Sequence, residues 1–581
     1  MRPVVLAALA ALACSDPVAP CEPPVLTTAT LSGGTTPVTL PLCGASVLLR
    51  VAVTETDRVT VSASQGHLTT TDTNAAAVEA GFAFEPSVAA TAELLLTGEG
   101  GSVVPVTVSV EPFACTNDAR EPNDDVEHAA PLVAPGLVRG RVCFDEVDAF
   151  AVDVPADRAL EVHVTSPLPD RIRLDALPLD APAETVASMP EAAEPTLRTP
   201  ASPETRRWVV RVTTSPATRL SYTLTVVSVA PGDTGAVAAG TVRYLKRIGA
   251  PDGSWTTAWR PARRVDIDVL AGDAVVASGR TGEAGEFVVS HPPGSGPSGS
   301  VRVRAVAQAS GSRLHVEVDD LNESPWAAES GTGPLFDIDV SEPYAAGAFN
   351  IVEQAVLLAD ALDGVVDAAP PKLLRVHWAP DLSPPCGSCF YDDDGTLDVS
   401  GLTGEEDAHD DSVILHELGH WVEATWGRYD NPGGIHDLQP VQPKLAWSEG
   451  FATWLQGAVR GSSTYLDLRP DGSAYVLDLE SPPDKVKGGS ESELSEGLVY
   501  GVLWDLIDAG ATDEDEAHFA TSEVLAAAVT LSTAPDHGAT GADFVDFLNA
   551  WRCAHPAGDA ALAAVLAAFD YPPVAKEPTC P

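Results

Sequence analysis

Asp411-Ser412-Val413-Ile414-Leu415-His416-Glu417-Leu418-Gly419-His420-Trp421-Val422-Glu423 is the stretch around which the rest of the chain is organised. Residues four apart on a helix lie one turn above each other on one face. His416 and His420 can therefore offer two imidazole nitrogens to one metal ion, with Glu417 beside them on nearly the same face. Ile414, Leu415, Leu418, Trp421 and Val422 fill most of the remaining circumference, which predicts a buried helix. Asp410 or Asp411 is placed to cap its start and Gly427 to end it. Burial suits a metal site, because a low dielectric strengthens the ion's effect on nearby groups.

A third ligand stands downstream. Leu445-Ala446-Trp447-Ser448-Glu449-Gly450-Phe451-Ala452-Thr453-Trp454-Leu455 repeats apolar residues at helical spacing around one acidic residue, Glu449. A lone carboxylate in an apolar helix is costly unless it is paired or bound to metal. The segment between His420 and Glu449 is long enough for a loop and a return on a second helix.

H-E-L-G-H followed by W-S-E-G-F-A-T resembles the gluzincin metallopeptidases, and the second motif is similar to the E-G-F-A segment of the zinc aminopeptidases in that clan. The resemblance covers roughly residues 340 to 581 and is specific in those two motifs. It implies one catalytic Zn2+ held by His416, His420 and Glu449, with Glu417 as general base acting on water, and a peptide or protein substrate. The exopeptidase signature of the aminopeptidases is absent, so their specificity is not carried over. Gluzincins use a downstream Tyr or His to donate to the oxyanion. Tyr500 is the first candidate, with His436 and His537 behind it. Tyr500 shares a face with Glu496, Leu503 and Ile507 on a predicted helix from about 492 to 508, started by a Ser490/Glu493 capping box and stopped at Gly510.

The chain has 581 residues, enough for several domains, and 45% hydrophobic content, enough for folded cores. Its formal charge is 34 − 83 = −49, which argues against nucleic-acid binding, since phosphate contacts need basic surface. The start, Met1-Arg2 and then an apolar run to Ala13, reads as a secretory signal too short to span a membrane. Ala11-Leu12-Ala13-Cys14 resembles a bacterial lipobox, which implies a lipid anchor on Cys14 as the only membrane attachment; an ordinary signal peptide cleaved nearby is the other reading. Export to the outer membrane or the medium follows. Of nine Cys, setting Cys14 aside leaves an even number, as in an exported chain. Proximity suggests Cys21–Cys43, Cys115–Cys143, Cys386–Cys389 and Cys553–Cys580.

The expected fold class is multidomain: β-sandwich modules followed by a mainly α (α+β) zincin-like domain. After the signal and tether at 1–24, residues 25–112 alternate as short strands, for example Val104 to Val110. Residues 113–230 open with Glu121-Pro122-Asn123-Asp124 and continue with Asp145 to Phe150, a pairing that resembles pre-peptidase C-terminal domains. Their Asp residues can bind Ca2+ or form a solvated loop. Residues 236–325, with Thr281-Gly282-Glu283-Ala284-Gly285-Glu286-Phe287, resemble transthyretin-like regulatory domains. The catalytic region is set at 335–581. There, 345–362 reads as a helix, 373–378 as a strand and Asp392-Asp393-Asp394-Gly395 as a turn. Thr396-Leu397-Asp398-Val399 reads as the edge strand that in this clan pairs with peptide backbone. The expected activity is zinc-dependent peptide hydrolysis. A surface binding or adhesion protein with a vestigial zincin domain, and a hydrolase of non-peptide amides or esters, are the alternatives.

Overall fold

The computed structural model describes residues 120–572 apart from short loop segments, together with Pro578 and Cys580 and the backbone of seven strands between Val25 and Pro112. The signal segment, Cys14 and the pairs Cys21–Cys43 and Cys115–Cys143 lie outside the described residues. The chain divides into two compact units, Met1–Asp233 and Thr234–Pro581.

In the first unit the seven N-terminal strands form two antiparallel sheets. Residues 130–229 form one sheet of five strands and one of four. Alternation along each strand turns Phe150, Leu174 and Val210 of the larger sheet and Leu160, Val162 and Leu224 of the smaller into one shared core, all six with no exposed surface. This is the β architecture anticipated for the region.

The second unit begins with two four-stranded sheets spanning Ala236 to Val340 and continues into a mixed five-stranded sheet. The order in the mixed sheet is Gln308–Ser310, His315–Asp319, Leu374–Trp378, Thr396–Val399, Cys389–Tyr391. Its central pairs are parallel, and a parallel pair needs a crossover connection. Helix α1 (Pro343–Ala361) lies within that connection. Two expectations are corrected here. The boundary at 325–335 is not a structural division, because His315–Asp319 pairs with Leu374–Trp378 and Ile338–Val340 pairs back onto Ala236–Gly249. The edge strand is Cys389–Tyr391, not Thr396–Val399, which is paired on both sides.

The remaining helices are α2 (Asp411–Thr425), α3 (Pro443–Arg460), α4 (Glu496–Asp505), α5 (Thr521–Val529), α6 (Phe544–Ala554) and α7 (Asp559–Ala568). Asp410 occupies the cap position of α2, but its carboxylate accepts from the Leu468 N–H at 2.8 Å rather than from the helix. Helix α4 starts later than expected: Ser495 is its cap, accepting from Leu498 N–H at 3.1 Å, while Ser490 and Glu493 pair with each other in the preceding turn. Two glycines let three helices approach closely. A Cβ on Gly419 of α2 would sit 2.8 Å from the Ala452 Cα of α3, and one on Gly450 would sit 2.8 Å from the Glu496 carbonyl oxygen of α4. A hairpin, Thr464–Leu468 paired with Ala474–Asp478, follows α3 and was not foreseen. One continuous apolar core runs from Tyr244 through Phe349, Trp378 and Trp447 to Tyr571.

Candidate metal centre

Helix α2 presents His416 and His420 from successive turns, their rings 5.0 Å apart and nearly perpendicular. Helix α3 crosses at Gly419 and brings Glu449 against both. Glu449 Oε2 lies 3.2 Å from His416 Nε2 and 3.4 Å from His420 Nε2. One ligating atom from each of the three buried residues lies within 4.8 Å of the other two.

The groups behind these three fix how they point. Ser448 Oγ donates to Glu423 Oε2 at 2.6 Å, so its oxygen accepts from His420 Nδ1–H at 3.1 Å. That tautomer leaves the Nε2 lone pair facing Glu449. His416 Nδ1 lies 3.1 Å from Thr453 Oγ1. Asn431 donates to Glu449 Oε1 at 2.9 Å, leaving Oε2 for the two rings. Two imidazoles and a carboxylate, each oriented from behind by a hydrogen bond, are the donor set of a catalytic zinc site. The residues present fit such an ion.

Glu417 stands next to the set, and its Oε2 accepts from the Phe390 backbone N–H at 2.9 Å. Burial pushes the Glu417 carboxyl above its usual value against the opposing charges of His416 and His420, which suits a base working near neutral pH. Burial would also raise Glu449, but His420 and His416 outweigh it and hold that carboxyl well below the usual range.

These groups line a cleft of about 420 Å³. One wall is the disulfide-bonded turn Cys386–Cys389 with Phe390, and another is the hairpin face that carries Tyr465, Asp467, Tyr475 and Leu477. At one end His436 lines the cleft. Its Nδ1 lies 2.9 Å from Glu496 Oε2 and its Nε2 3.6 Å from Glu449 Oε2. The hydrogen bond with Glu496 raises the His436 imidazole to about 9.

The structure brings His416, Glu417, His420, Glu449 and His436 together, and leaves out two other candidates. Tyr500 has no exposed surface and does not line the cleft; its face of α4 turns into the core. His537 points its Nδ1 at the Pro535 carbonyl, 2.8 Å away, and does not line the cleft either. Sequence reasoning missed Asn431, Thr453, Tyr429, Tyr465 and Asp467. The alternation of Tyr465 and Asp467 was the available signal for a strand; Asn431, in an Asn-Pro-Gly-Gly turn, carried none. The Asp392–Gly395 segment is a turn, as read, with Asp394 accepting from Thr396 N–H at 3.2 Å. Glu121, Asp124 and Glu146 bring carboxylate oxygens within 4.8 Å of one another near the start of the 120–229 region, and calcium is not assigned to them. Both disulfides that fall on described residues, Cys386–Cys389 and Cys553–Cys580, are formed.

Residues 367–568 match the family described as Mycolysin C-terminal domain, a span that contains the whole of this centre. The match supports a metallopeptidase-associated architecture for the region. No curated protein matches the chain. Among solved structures, a 9R-lipoxygenase from Cyanothece matches at 12% identity and a TM-score of 0.11, over 22% of this chain and 23% of that one. The BSP domain of a biofilm associated protein matches at 10% identity and a TM-score of 0.11, over 55% of this chain and 81% of that one. At those scores neither likeness carries an argument.

Proposed function

We propose that this chain is an exported or surface-anchored zinc metallopeptidase that cleaves peptide bonds with Glu417 as its general base. The observation that carries the reading is the convergence of His416, His420 and Glu449 within 4.8 Å, beside a buried carboxylate in an open cleft. Zinc held by these three supplies a Lewis acid for the scissile carbonyl and makes water a stronger acid.

The chain's own residues do the rest. Phe390 N–H anchors one oxygen of Glu417, leaving the other to take a proton from the attacking water and return it to the leaving amine. Among the described residues the outer edge of Cys389–Tyr391 pairs with no further strand, and with the Phe390 N–H held by Glu417 it leaves the Phe390 carbonyl to accept from an extended peptide. His436, tethered by Glu496, takes the role first given to Tyr500 and donates toward the developing charge on the carbonyl oxygen. Paired disulfides suit an oxidising exterior. Among the described residues no helix is long and apolar enough to cross a membrane. The resemblance of Ala11-Leu12-Ala13-Cys14 to a lipobox supports a lipid on Cys14 as the anchor.

The test is Glu417→Gln in the full-length protein, incubated with a diverse peptide mixture read by mass spectrometry. The variant is expected to keep one zinc per chain and lose cleavage. A variant that cleaves as fast as the parent would refute the assignment.

A further inference from the structure

We infer that the Cys386–Cys389 disulfide is a redox switch on the catalytic cleft: the chain is weakly active while these two cysteines are thiols and reaches full activity once they are joined. The inference rests on the peptidase reading above and names how that site is regulated.

The bond closes the turn Cys386-Gly387-Ser388-Cys389, and all four residues line the cleft. Cys386 is exposed, so solutes entering the cleft reach the turn at that end, while Cys389 is buried. Cys389 is followed directly by Phe390, whose N–H holds Glu417 at 2.9 Å. Cys389 also opens the rim strand, which among the described residues is paired on one side, to Thr396–Val399. One covalent bond thus adjoins both the group that orients the base and the edge offered to substrate.

The other holds on the turn lie before Cys389. Ser388 Oγ donates to Asp407 Oδ2 at 2.6 Å and accepts from Ser400 N–H at 3.0 Å, and Gly387 N–H donates to the Pro384 carbonyl at 3.2 Å. Gly387 has a φ of +83°, and a Cβ there would meet nothing within 4 Å, so the backbone can turn at this residue once the sulfurs part. A ring of four residues restricts the unfolded chain little, so opening it leaves the global fold standing. A local effect beside the base with little effect elsewhere is what a switch needs. The Cys553–Cys580 bond differs: neither of its cysteines lines the cleft.

The closing step is thiol–disulfide exchange with a small external disulfide, RSSR. The Cys386 thiolate attacks one sulfur of RSSR, forming a mixed disulfide and releasing RS⁻. The Cys389 thiolate then attacks the Cys386 sulfur, which forms the Cys386–Cys389 bond and releases the second RS⁻. Two electrons pass to RSSR, and the two protons lost by the cysteines end on the two RSH. On the exported reading above, the chain meets such disulfides outside a reducing cell interior, so the switch holds back cleavage until export.

The experiment uses full-length, zinc-loaded protein and a peptide that it cleaves. Reduction is by a phosphine, because added thiols compete for zinc; reoxidation is by oxidised glutathione. Alkylation with mass spectrometry follows each cysteine, and metal analysis follows zinc. Reducing Cys386–Cys389 is expected to lower kcat/KM by about tenfold, mostly through KM, with one zinc retained. Across a series of glutathione ratios, activity should rise with the fraction of this bond formed. The double variant Cys386→Ser, Cys389→Ser should show the reduced activity and no response to phosphine, whereas Cys553→Ser, Cys580→Ser should respond as the parent does. Parent protein that cleaves equally fast with the bond open overturns the inference and leaves the peptidase reading standing. So does a bond that opens only when the protein unfolds, or a Cys386→Ser, Cys389→Ser variant that still loses activity on reduction. If no peptide is cleaved in either state although zinc is bound, the peptidase reading itself falls, and the switch with it.

Discussion

Ser448 stands at a junction: its hydroxyl donates to Glu423, accepts from His420 and lies 3.2 Å from the Asn431 amide. Glu423 is buried and its Oε1 has no hydrogen-bond partner among the described residues; its Oε2 accepts from Ser448 at 2.6 Å and lies 3.5 Å from His420 Nδ1. Ser448→Ala is expected to weaken zinc binding by about 10–100-fold, since such supporting groups orient the ligand imidazole. It should also cost roughly 1–3 kcal/mol of stability, because Glu423 loses its shorter hydrogen bond. Chelator competition and thermal denaturation measure the two effects; unchanged zinc affinity would show that His420 needs no such support. The convergence of His416, His420 and Glu449 was legible in the sequence, because i,i+4 histidines share one face of a helix and a lone acid in an apolar segment needs a partner. Ser448, Asn431 and Thr453 were not, since their roles arise only when α2 and α3 cross at Gly419. Tyr500 was misread for a related reason. Sharing a helix face with Glu496 told which residues travel together, but not that Tyr500 would turn to the core.

Cys389–Tyr391 forms both the rim of the mixed sheet and a wall of the cleft, and its Phe390 N–H holds Glu417. The disulfide to Cys386 closes the turn that leads into this strand. So short a ring adds little to the stability of the whole, as loop-closure entropy grows with ring size. Its contribution is local order. The double variant Cys386→Ser, Cys389→Ser is therefore expected to retain zinc and global stability while raising KM several-fold and lowering kcat less. Steady-state kinetics with metal analysis decides this, and unchanged kinetics would mean the strand is held by its neighbours alone. Helices α1 to α4, the strand at 374–378 and the Cys386–Cys389 pair could be read from periodicity and proximity, whereas α5 was not read. The edge strand could not, because two short apolar segments look alike until pairing shows which lies outside. The hairpin at 464–478 was missed since no residue of its strands is fully buried and they carry a weak apolar pattern.

The second unit shares one core from its β sheets to its last helix, and the mixed sheet takes two strands, Gln308–Ser310 and His315–Asp319, from before α1. A fragment of residues 234–581 is expected to melt cooperatively and bind one zinc. A fragment of residues 335–581 lacks those two strands, uncovers a central strand edge, and should do neither. Circular dichroism melts and metal analysis compare them; a cooperative, metal-binding 335–581 fragment would restore the boundary read from the sequence. That boundary was drawn at a linker read around Gly331–Gly333, yet pairing between distant segments leaves no trace in the local sequence. The same borrowed strand bears on how the protein is made. His315–Asp319 leaves the ribosome before α1 and before its parallel neighbour at Leu374–Trp378. Until that neighbour is synthesised, the nascent chain carries an open row of backbone donors and acceptors, and slow translation through the intervening segment would lengthen the time in which another chain can claim them.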